Sequence, residues 1–448
     1  MSAPALLIAA PASGSGKTTL TLGLLRALAR RGHAVGSFKV GPDYIDPAFL
    51  VAASRRPCPN LDSWAMRFET LALLLQQAGT GVDLVLGEGV MGLFDGAPGG
   101  AGSTADIAAL FGLPVVLVVD VRAMGASAAA LIEGFLRHRD DVQIVGIILN
   151  GVGGPEHARL LREACDDHFA TPVLGCLARD PALALPSRHL GLVPAAEHPA
   201  LEAFLERAAE LVEREVDLGW LMRLARPSSV APLGHHATPL APLGQRIAVA
   251  RDAAFAFAYP STLAGWRLQG AELLPFSPLA DEAPAPDADA VFLPGGYPEL
   301  HAGRLAQAER FRGGLRDAAR RGSAILGECG GYMVLGESLT DADGQVHPML
   351  GLLPLRTSFA ERRRQLGYRE IELLADGPLG RRGARLRGHE FHYATELSRV
   401  GAPLARARDA RGRDLGPVGC RVGSVAGSFV HVIDRVVPGR GPGWQDRG

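Results

Sequence analysis

Only two of the 46 basic residues in this 448-residue chain are lysines, and both lie in loops where phosphate chemistry would need them. Lys17 closes the run Gly14-Ser15-Gly16-Lys17-Thr18-Thr19, and Lys39 opens a segment that continues through Asp43, Tyr44 and Asp46. The other basic residues are arginine. A chain so biased keeps lysine where a compact ammonium fits and a planar guanidinium does not. The first run follows an apolar stretch and precedes a helical one, the context of a phosphate-binding loop. Its glycines let backbone N–H groups approach a nucleotide's phosphates, and the helix N-terminus adds a favourable dipole. Lys17 would neutralise the β- and γ-phosphates and the Thr18 hydroxyl would complete a Mg²⁺ shell. Pro11 occupies the position of the first glycine in the usual G-x-x-x-x-G-K-[ST] pattern.

Acids complete this first constellation. Residues 84–96 run off a strand into the glycine-rich loop that carries Glu88 and Asp95. In open α/β sheets the ligand crevice lies beyond such strand ends. Mg²⁺ takes oxygen ligands and usually keeps several waters, which suits Glu88 and Asp43, with Asp46 and Asp95 as further candidates.

A second constellation is Gly327-Glu328-Cys329-Gly330-Gly331. A strand meeting a helix across G-x-C-x-G is the cysteine counterpart of the nucleophile elbow. The turn exposes the side chain at a helix N-terminus, where a thiol is expected to be more acidic than usual. Backbone N–H groups near Gly330, with those of the loop containing Gly296, would form an oxyanion hole. The imidazole that such chemistry requires is sought first at His431, with His389 and His392 as competitors. Cys58, Cys165, Cys176 and Cys420 read as inert packing residues.

The elements that must position these groups follow from periodicity. Short apolar runs at 6–10, 35–39, 84–86, 115–119, 144–149 and 172–174 read as buried strands, with helical stretches such as 18–29 and 156–167 between them. That alternation predicts an α/β fold with a doubly wound, mainly parallel sheet. Proline-rich residues 226–244 read as a linker between domains at 1–225 and 245–448. A second alternation follows: strands at 247–250, 291–293 and 324–326, with helices at 259–268 and 305–320.

Bulk properties agree with a two-domain enzyme. The length exceeds what one hydrophobic core usually serves. A net charge of −1 gives no pull toward nucleic acid or an anionic membrane. Five scattered cysteines without C-x-x-C spacing fit reduced thiols in a cytoplasmic setting. Residues 1–10 lack a basic n-region and read as a first strand. No apolar run reaches membrane-spanning length.

Seven pieces occur in order along the chain: A-P-A-S-G-S-G-K-T-T, F-K-V-G-P-D-Y-I-D-P, L-D-S-W, G-E-G-V-M-G-L-F-D-G, L-P-G-G-Y-P-E, G-E-C-G-G-Y and G-H-E-F-H-Y. Together they resemble the cobyrinic or hydrogenobyrinic acid a,c-diamide synthases of cobalamin biosynthesis. The resemblance implies a dethiobiotin-synthetase-like ATP domain fused to a class I glutamine amidotransferase domain. It implies that ATP activates the a- and c-acetate carboxylates of a corrin-ring substrate as acyl phosphates. Ammonia from L-glutamine would attack each, and a homodimer is the candidate assembly. By the same resemblance Lys17 and Thr18 take the phosphate and Mg²⁺ positions. Asp43, Tyr44, Glu88 and Asp95 take metal- and substrate-proximal positions, and Cys329 and His431 take nucleophile and base. Two residues after His431, where many relatives carry glutamate, stands Ile433, followed by Asp434, so the third member of the set stays open. The rival readings are a cobyric acid synthase, a nickel-sirohydrochlorin a,c-diamide synthase and, from another class, a ParA/MinD-like positioning ATPase.

Overall fold

The computed structural model describes residues 3–188, 191–230 and 239–437. Its chain divides into two compact units, one holding residues up to 230 apart from Ala65–Arg67, the other holding Ala65–Arg67 and residues 239–437. The expected linker falls partly outside the described residues, at 231–238.

In the first unit β1 (Pro4–Ala9), β2 (Val35–Val40), β3 (Asn60–Leu61), β4 (Leu84–Glu88), β5 (Val115–Asp120), β6 (Ile144–Val152) and β7 (Val173–Ala178) form a parallel sheet in the order β3-β2-β4-β1-β5-β6-β7. The short β8 (Arg226–Pro227) pairs antiparallel with β1. The central strands are apolar on both faces, as a sheet covered by helices requires; Leu6, Leu7 and Ile8 are fully buried. Strands expected from the sequence lie within a residue or a few of those observed. The order reverses at β1, and the loops after β1, β2 and β4 leave the same strand ends, which places the phosphate-loop residues beside Asp43 and Glu88.

Helix Lys17–Arg30 buries ten of its residues. Gly23 sits where a Cβ would come within 2.6 Å of the Ala208 carbonyl oxygen on helix Leu201–Glu215, so the two backbones touch with no room for a methyl group.

The second unit is built on β9 (Arg246–Ala250), β10 (Glu272–Phe276), β11 (Ala290–Leu293) and β12 (Ala324–Glu328). Further along the chain come β13 (Gln365–Leu373), β14 (Arg385–His392), β15 (Ala405–Asp409), β16 (Asp414–Val418), β17 (Cys420–Val422), β18 (Val425–Ser428) and β19 (Val430–Arg435). The main sheet runs β10-β9-β11-β12-β18-β17, parallel except for β17. A five-stranded antiparallel sheet runs β16-β15-β13-β14-β19. A four-stranded sheet formed by Ser338–Thr340, Val346–Pro348, Leu355–Ser358 and Thr395–Arg399 completes the unit. Only Phe429 separates β18 from β19, so the chain leaves the main sheet and enters the antiparallel one immediately before His431.

One expectation needs correction. The stretch 305–320 is two helices, Ala302–Gln307 and Glu309–Arg320, not one. Ala308 takes ψ 83, which breaks the helical path, and the Arg312 guanidinium donates to the Ala306 carbonyl at 2.6 Å, satisfying an acceptor exposed by the break.

The contact at Gly23 yields a stability test. Gly23→Ala is expected to lower stability by about 1–3 kcal/mol despite alanine's better helix propensity, because the methyl meets backbone that cannot yield. Thermal unfolding checks it; an unchanged or raised midpoint would contradict the close contact.

Candidate active sites

Each unit carries one site. In the first, a cleft of about 850 Å³ is lined by Gly14, Lys17, Thr18, Lys39, Asp43 and Glu88 among others. Gly14 and Gly16 have φ of 78° and 88°, a region glycine enters without strain. Gly16 is doubly constrained, since a Cβ there would lie 2.2 Å from the Asn150 amide nitrogen, which donates to the Ser15 carbonyl at 2.9 Å. Asn150 thus braces the loop, a role its position in β6 did not advertise. No side chain caps helix Lys17–Arg30, which leaves its first-turn N–H groups to the cleft. Lys17 Nζ donates to the carbonyls of Ala12 at 3.1 Å and Met91 at 2.6 Å, a curled position from which a phosphate would draw it. Burial, with the Lys39 charge adding, lowers its pKa to about 8.

At the floor of the cleft Lys39 Nζ donates to Asp46 Oδ2 at 2.6 Å and to Glu88 Oε1 at 2.7 Å. Thr18 Oγ1 donates to the same Glu88 oxygen at 2.6 Å. Burial raises the Glu88 pKa, opposed by Lys39. Lys39 is raised above the ordinary range because the attraction of Asp46 and Glu88 outweighs its own desolvation. Sequence reasoning placed Lys39 against phosphate; the structure shows it paired with acids at the cleft floor. Asp43 Oδ1 accepts from the backbone N–H groups of Ile45 and Asp46, fixing the turn into helix Asp46–Ser54. Loss of solvent and the Asp46 carboxylate raise the Asp43 pKa to about 7. Asp95 is engaged by the Gly92 N–H at 2.8 Å, and neither Asp95 nor Tyr44 lines the cleft. Thr19 does, with its hydroxyl 3.5 Å from the Leu183 carbonyl.

No cluster of three His, Cys, Asp or Glu side chains able to hold a metal occurs among the described residues. Yet Glu88 Oε2 is buried with no hydrogen-bond partner, next to the Thr18 hydroxyl. One or two oxygens of this kind, completed by water and nucleotide phosphate, match the way Mg²⁺ is usually held.

In the second unit Cys329 stands between β12 and helix Gly330–Leu335 with φ 46° and ψ −104°, a strained conformation for a residue with a side chain. The flanking glycines are required: a Cβ on Gly331 would lie 1.9 Å from the Leu293 carbonyl oxygen, and one on Gly330 would lie 3.0 Å from the Gly296 nitrogen. The two residues expected to form the oxyanion hole, Gly296 and Gly330, are therefore neighbours. The Gly330 N–H also bonds the Cys329 sulfur.

His431 is the imidazole that reaches this elbow. A Cβ on Gly295 would lie 2.3 Å from His431 Cε1, 2.9 Å from its Nε2 and 3.3 Å from Cys329 Cβ, so a single glycine leaves room for both side chains beside it. His392 is committed elsewhere: Nδ1 bonds the Ala394 carbonyl, Nε2 bonds Glu390, and the ring stacks on Phe429 at 3.7 Å. His389 pairs across the strands with His431 and packs edge-on against Tyr368. Ile433 is buried hydrocarbon. The Asp434 carboxylate accepts from the Arg67 backbone N–H and guanidinium, each at 3.0 Å.

The expected acidic thiol is overturned. Burial pushes the Cys329 thiol well above its ordinary range, with the Glu299, Glu390 and Glu328 carboxyls opposing ionisation, and the single Gly330 N–H does not compensate. His431 is lowered to about 3, chiefly by burial and then by His389 and His392. At rest both members of the pair are neutral. All five cysteines are buried and none is in a disulfide.

Two outcomes follow from these charges. At pH 7.5 iodoacetamide should alkylate Cys329 at least about tenfold more slowly than free cysteine, because the raised pKa leaves less thiolate; site-resolved mass spectrometry would detect faster labelling, which would contradict the neutral pair. Lys39→Met should destabilise the first unit by about 3–5 kcal/mol near pH 8 by leaving buried carboxylates unpaired. Without the ammonium, the folded-state pKa of Glu88, already raised by burial, rises further. Protonation then relieves the unpaired charge, so the deficit should shrink as pH falls toward 5. Unfolding midpoints at the two pH values check the sign.

Sequence profiles match both units. The CobQ/CobB/MinD/ParA nucleotide-binding domain covers residues 6–193, and the CobB/CobQ-like glutamine amidotransferase domain covers residues 246–435. The chain is 58% identical over 431 residues to hydrogenobyrinate a,c-diamide synthase of Brucella anthropi, covering 96% of this chain and 98% of that one. It is 55% identical to the enzyme of the same name from Rhizobium meliloti over 96% of this chain and 99% of that one. For the Mesorhizobium japonicum protein of that name the values are 52%, 97% and 99%. The phosphate loop, the cysteine elbow and these near full-length likenesses agree that the chain belongs to the hydrogenobyrinate a,c-diamide synthase family, glutamine-hydrolysing ligases that join an ATP-binding domain to a glutamine amidotransferase domain.

Proposed function

We propose that this protein amidates the a- and c-acetate carboxylates of hydrogenobyrinic acid, using ATP and L-glutamine, with an acyl phosphate formed at each carboxylate. The observation that carries this reading is the presence on one chain of two complementary sites, a phosphate loop and a Cys329–His431 elbow. A carboxylate resists attack by an amine, and phosphoryl transfer from ATP gives it a leaving group. Ammonia is mostly protonated at neutral pH, so releasing it from glutamine within the enzyme supplies the nucleophilic form.

In the synthetase domain, placed at 1–225, the backbone of Gly14–Thr19 cradles the phosphates and Lys17 neutralises them. Mg²⁺, held by Thr18 and Glu88 with Asp43 nearby, would neutralise charge on the transferring phosphoryl group. Asp43, Tyr44 and Asp95 are assigned to the substrate side on the family motifs that contain them. In the amidotransferase domain, placed at 245–448, Cys329 Sγ attacks the glutamine carboxamide carbon while its proton passes to His431 Nε2. The Gly296 and Gly330 N–H groups receive the developing oxyanion. His431 then returns the proton to the departing nitrogen, the C–N bond breaks, and water hydrolyses the thioester to glutamate.

The activity for which the relatives are named, on hydrogenobyrinate, favours that substrate over the nickel-sirohydrochlorin and cobyric acid alternatives. A ParA/MinD-like positioning ATPase would have no use for the strained cysteine elbow. No helix among the described residues is long and apolar enough to cross a membrane, which suits the proposed cytoplasmic setting. A homodimer is the assembly to test by light scattering.

Separation of the two activities tests the proposal. Cys329→Ala should abolish glutamine-dependent diamide formation yet retain synthesis from concentrated ammonium salt. Lys17→Ala should lose synthesis from either nitrogen source while keeping glutamine hydrolysis. Glutamine-dependent synthesis by Cys329→Ala would overturn the assignment, and a preference for the cobalt-containing ring would overturn the choice of substrate.

A further inference from the structure

Glu328 immediately precedes the nucleophile and is 6% exposed. In β12 alternate residues share a face, so Glu328 lies with Leu326 rather than with Cys329. There it borders a small pocket with Trp266, Phe292, Leu326 and Val432, an apolar setting in which a carboxyl is costly unless it is used. Its Oε1 accepts from the Val432 N–H at 3.1 Å, which anchors the side chain against the residue following His431. Its Oε2 lies 3.8 Å from His431 Nδ1, while the Cε1–Nε2 edge of the same ring lies against Gly295, the glycine that also borders Cys329 Cβ. The other acids near this ring are engaged: Asp434 with Arg67, and Glu390 with Arg369 and His392. Ile433, two residues after His431, has a buried hydrocarbon side chain and offers no side-chain oxygen.

We propose that Glu328 is the positioning residue of the glutamine site, orienting His431 through Nδ1 and stabilising its imidazolium while Cys329 attacks. This rests on the Cys329–His431 reading above. At 3.8 Å the contact is longer than a hydrogen bond, and catalytic contacts of this kind commonly tighten once substrate is seated. Burial holds the resting Glu328 carboxyl at about 8. When His431 takes the thiol proton, the new positive charge favours the carboxylate and is favoured by it in return. His389 and Glu390 on β14, with the neighbouring His392, are the other titratable groups that act on His431. The carboxylate comes from the strand that carries the nucleophile, so Cys329 and the orienting acid are fixed by the same backbone segment.

The test uses the full chain and its glutaminase activity. Glu328→Gln keeps shape and the Val432 contact but cannot carry the charge. Its kcat is expected to fall about 30-fold or more, with KM for glutamine within about threefold. Synthesis from ammonium salt should stay within about twofold, and Glu328→Asp should recover part of the lost kcat. Glutamine Kd measured in a Cys329→Ala background, with and without Glu328→Gln, reports whether the site stays folded. Wild-type kcat retained within threefold by Glu328→Gln would overturn the role. So would a joint loss of glutamine binding and thermal stability in the Gln and Asp variants, which would mark Glu328 as merely structural. Wild-type protein lacking Cys329-dependent glutaminase would instead overturn the underlying reading, and the Glu328 role with it.

Discussion

A buried ammonium between two carboxylates organises the synthetase cleft. Lys39 is 3% exposed and Glu88 is fully buried, so neither charge could be held there alone. Their pairing, with Asp46 on the other side, ties the ends of β2 and β4 to the start of helix Asp46–Ser54. Thr18 joins the same Glu88 oxygen, so the phosphate-loop helix is tied to that network as well. Three chain segments that are distant in sequence are thereby locked around one carboxylate. The arrangement also leaves Glu88 Oε2 buried with no hydrogen-bond partner, the oxygen proposed above to face Mg²⁺.

The amidotransferase site depends on close approach rather than on charge. Gly295, Gly330 and Gly331 each occupy a place where one extra carbon would strike the His431 ring or a neighbouring backbone. Absence of side chains lets Cys329, the His431 ring and the backbone of Gly296 and Gly330 gather around one point. The strained φ of Cys329 belongs to the same construction, since a relaxed turn would aim the sulfur elsewhere.

Much of this was legible in the residues. Short apolar runs rich in β-branched residues, such as 115–119, read as strands covered on both faces, so the first sheet followed from their alternation with helical stretches. The antiparallel sheet of the second unit did not. Strands such as Gln365–Leu373 and Arg385–His392 carry arginine and glutamate that pair across strands, as Arg385 and Arg387 do with Glu370, which blurs the alternation. Glycine-flanked Lys17 and Cys329 identified themselves. Asn150, whose partner is 135 residues away in the phosphate loop, carried no local signal. Glu328 was visible in the elbow motif, but adjacency to cysteine does not reveal which way a strand residue faces. The expectation of an acidic thiol failed because a motif shows the helix terminus and not the burial around it.

That burial has a consequence for how the protein ages. Peroxide and related oxidants react with thiolates, and the oxidation of cysteine beyond the sulfenic state is largely irreversible. The enclosed, protonated thiol of Cys329, the proposed nucleophile, presents little reactive sulfur to such oxidants. The enclosure that makes Cys329 unreactive at rest therefore also preserves it, so that chemical damage should accumulate with turnover rather than with time.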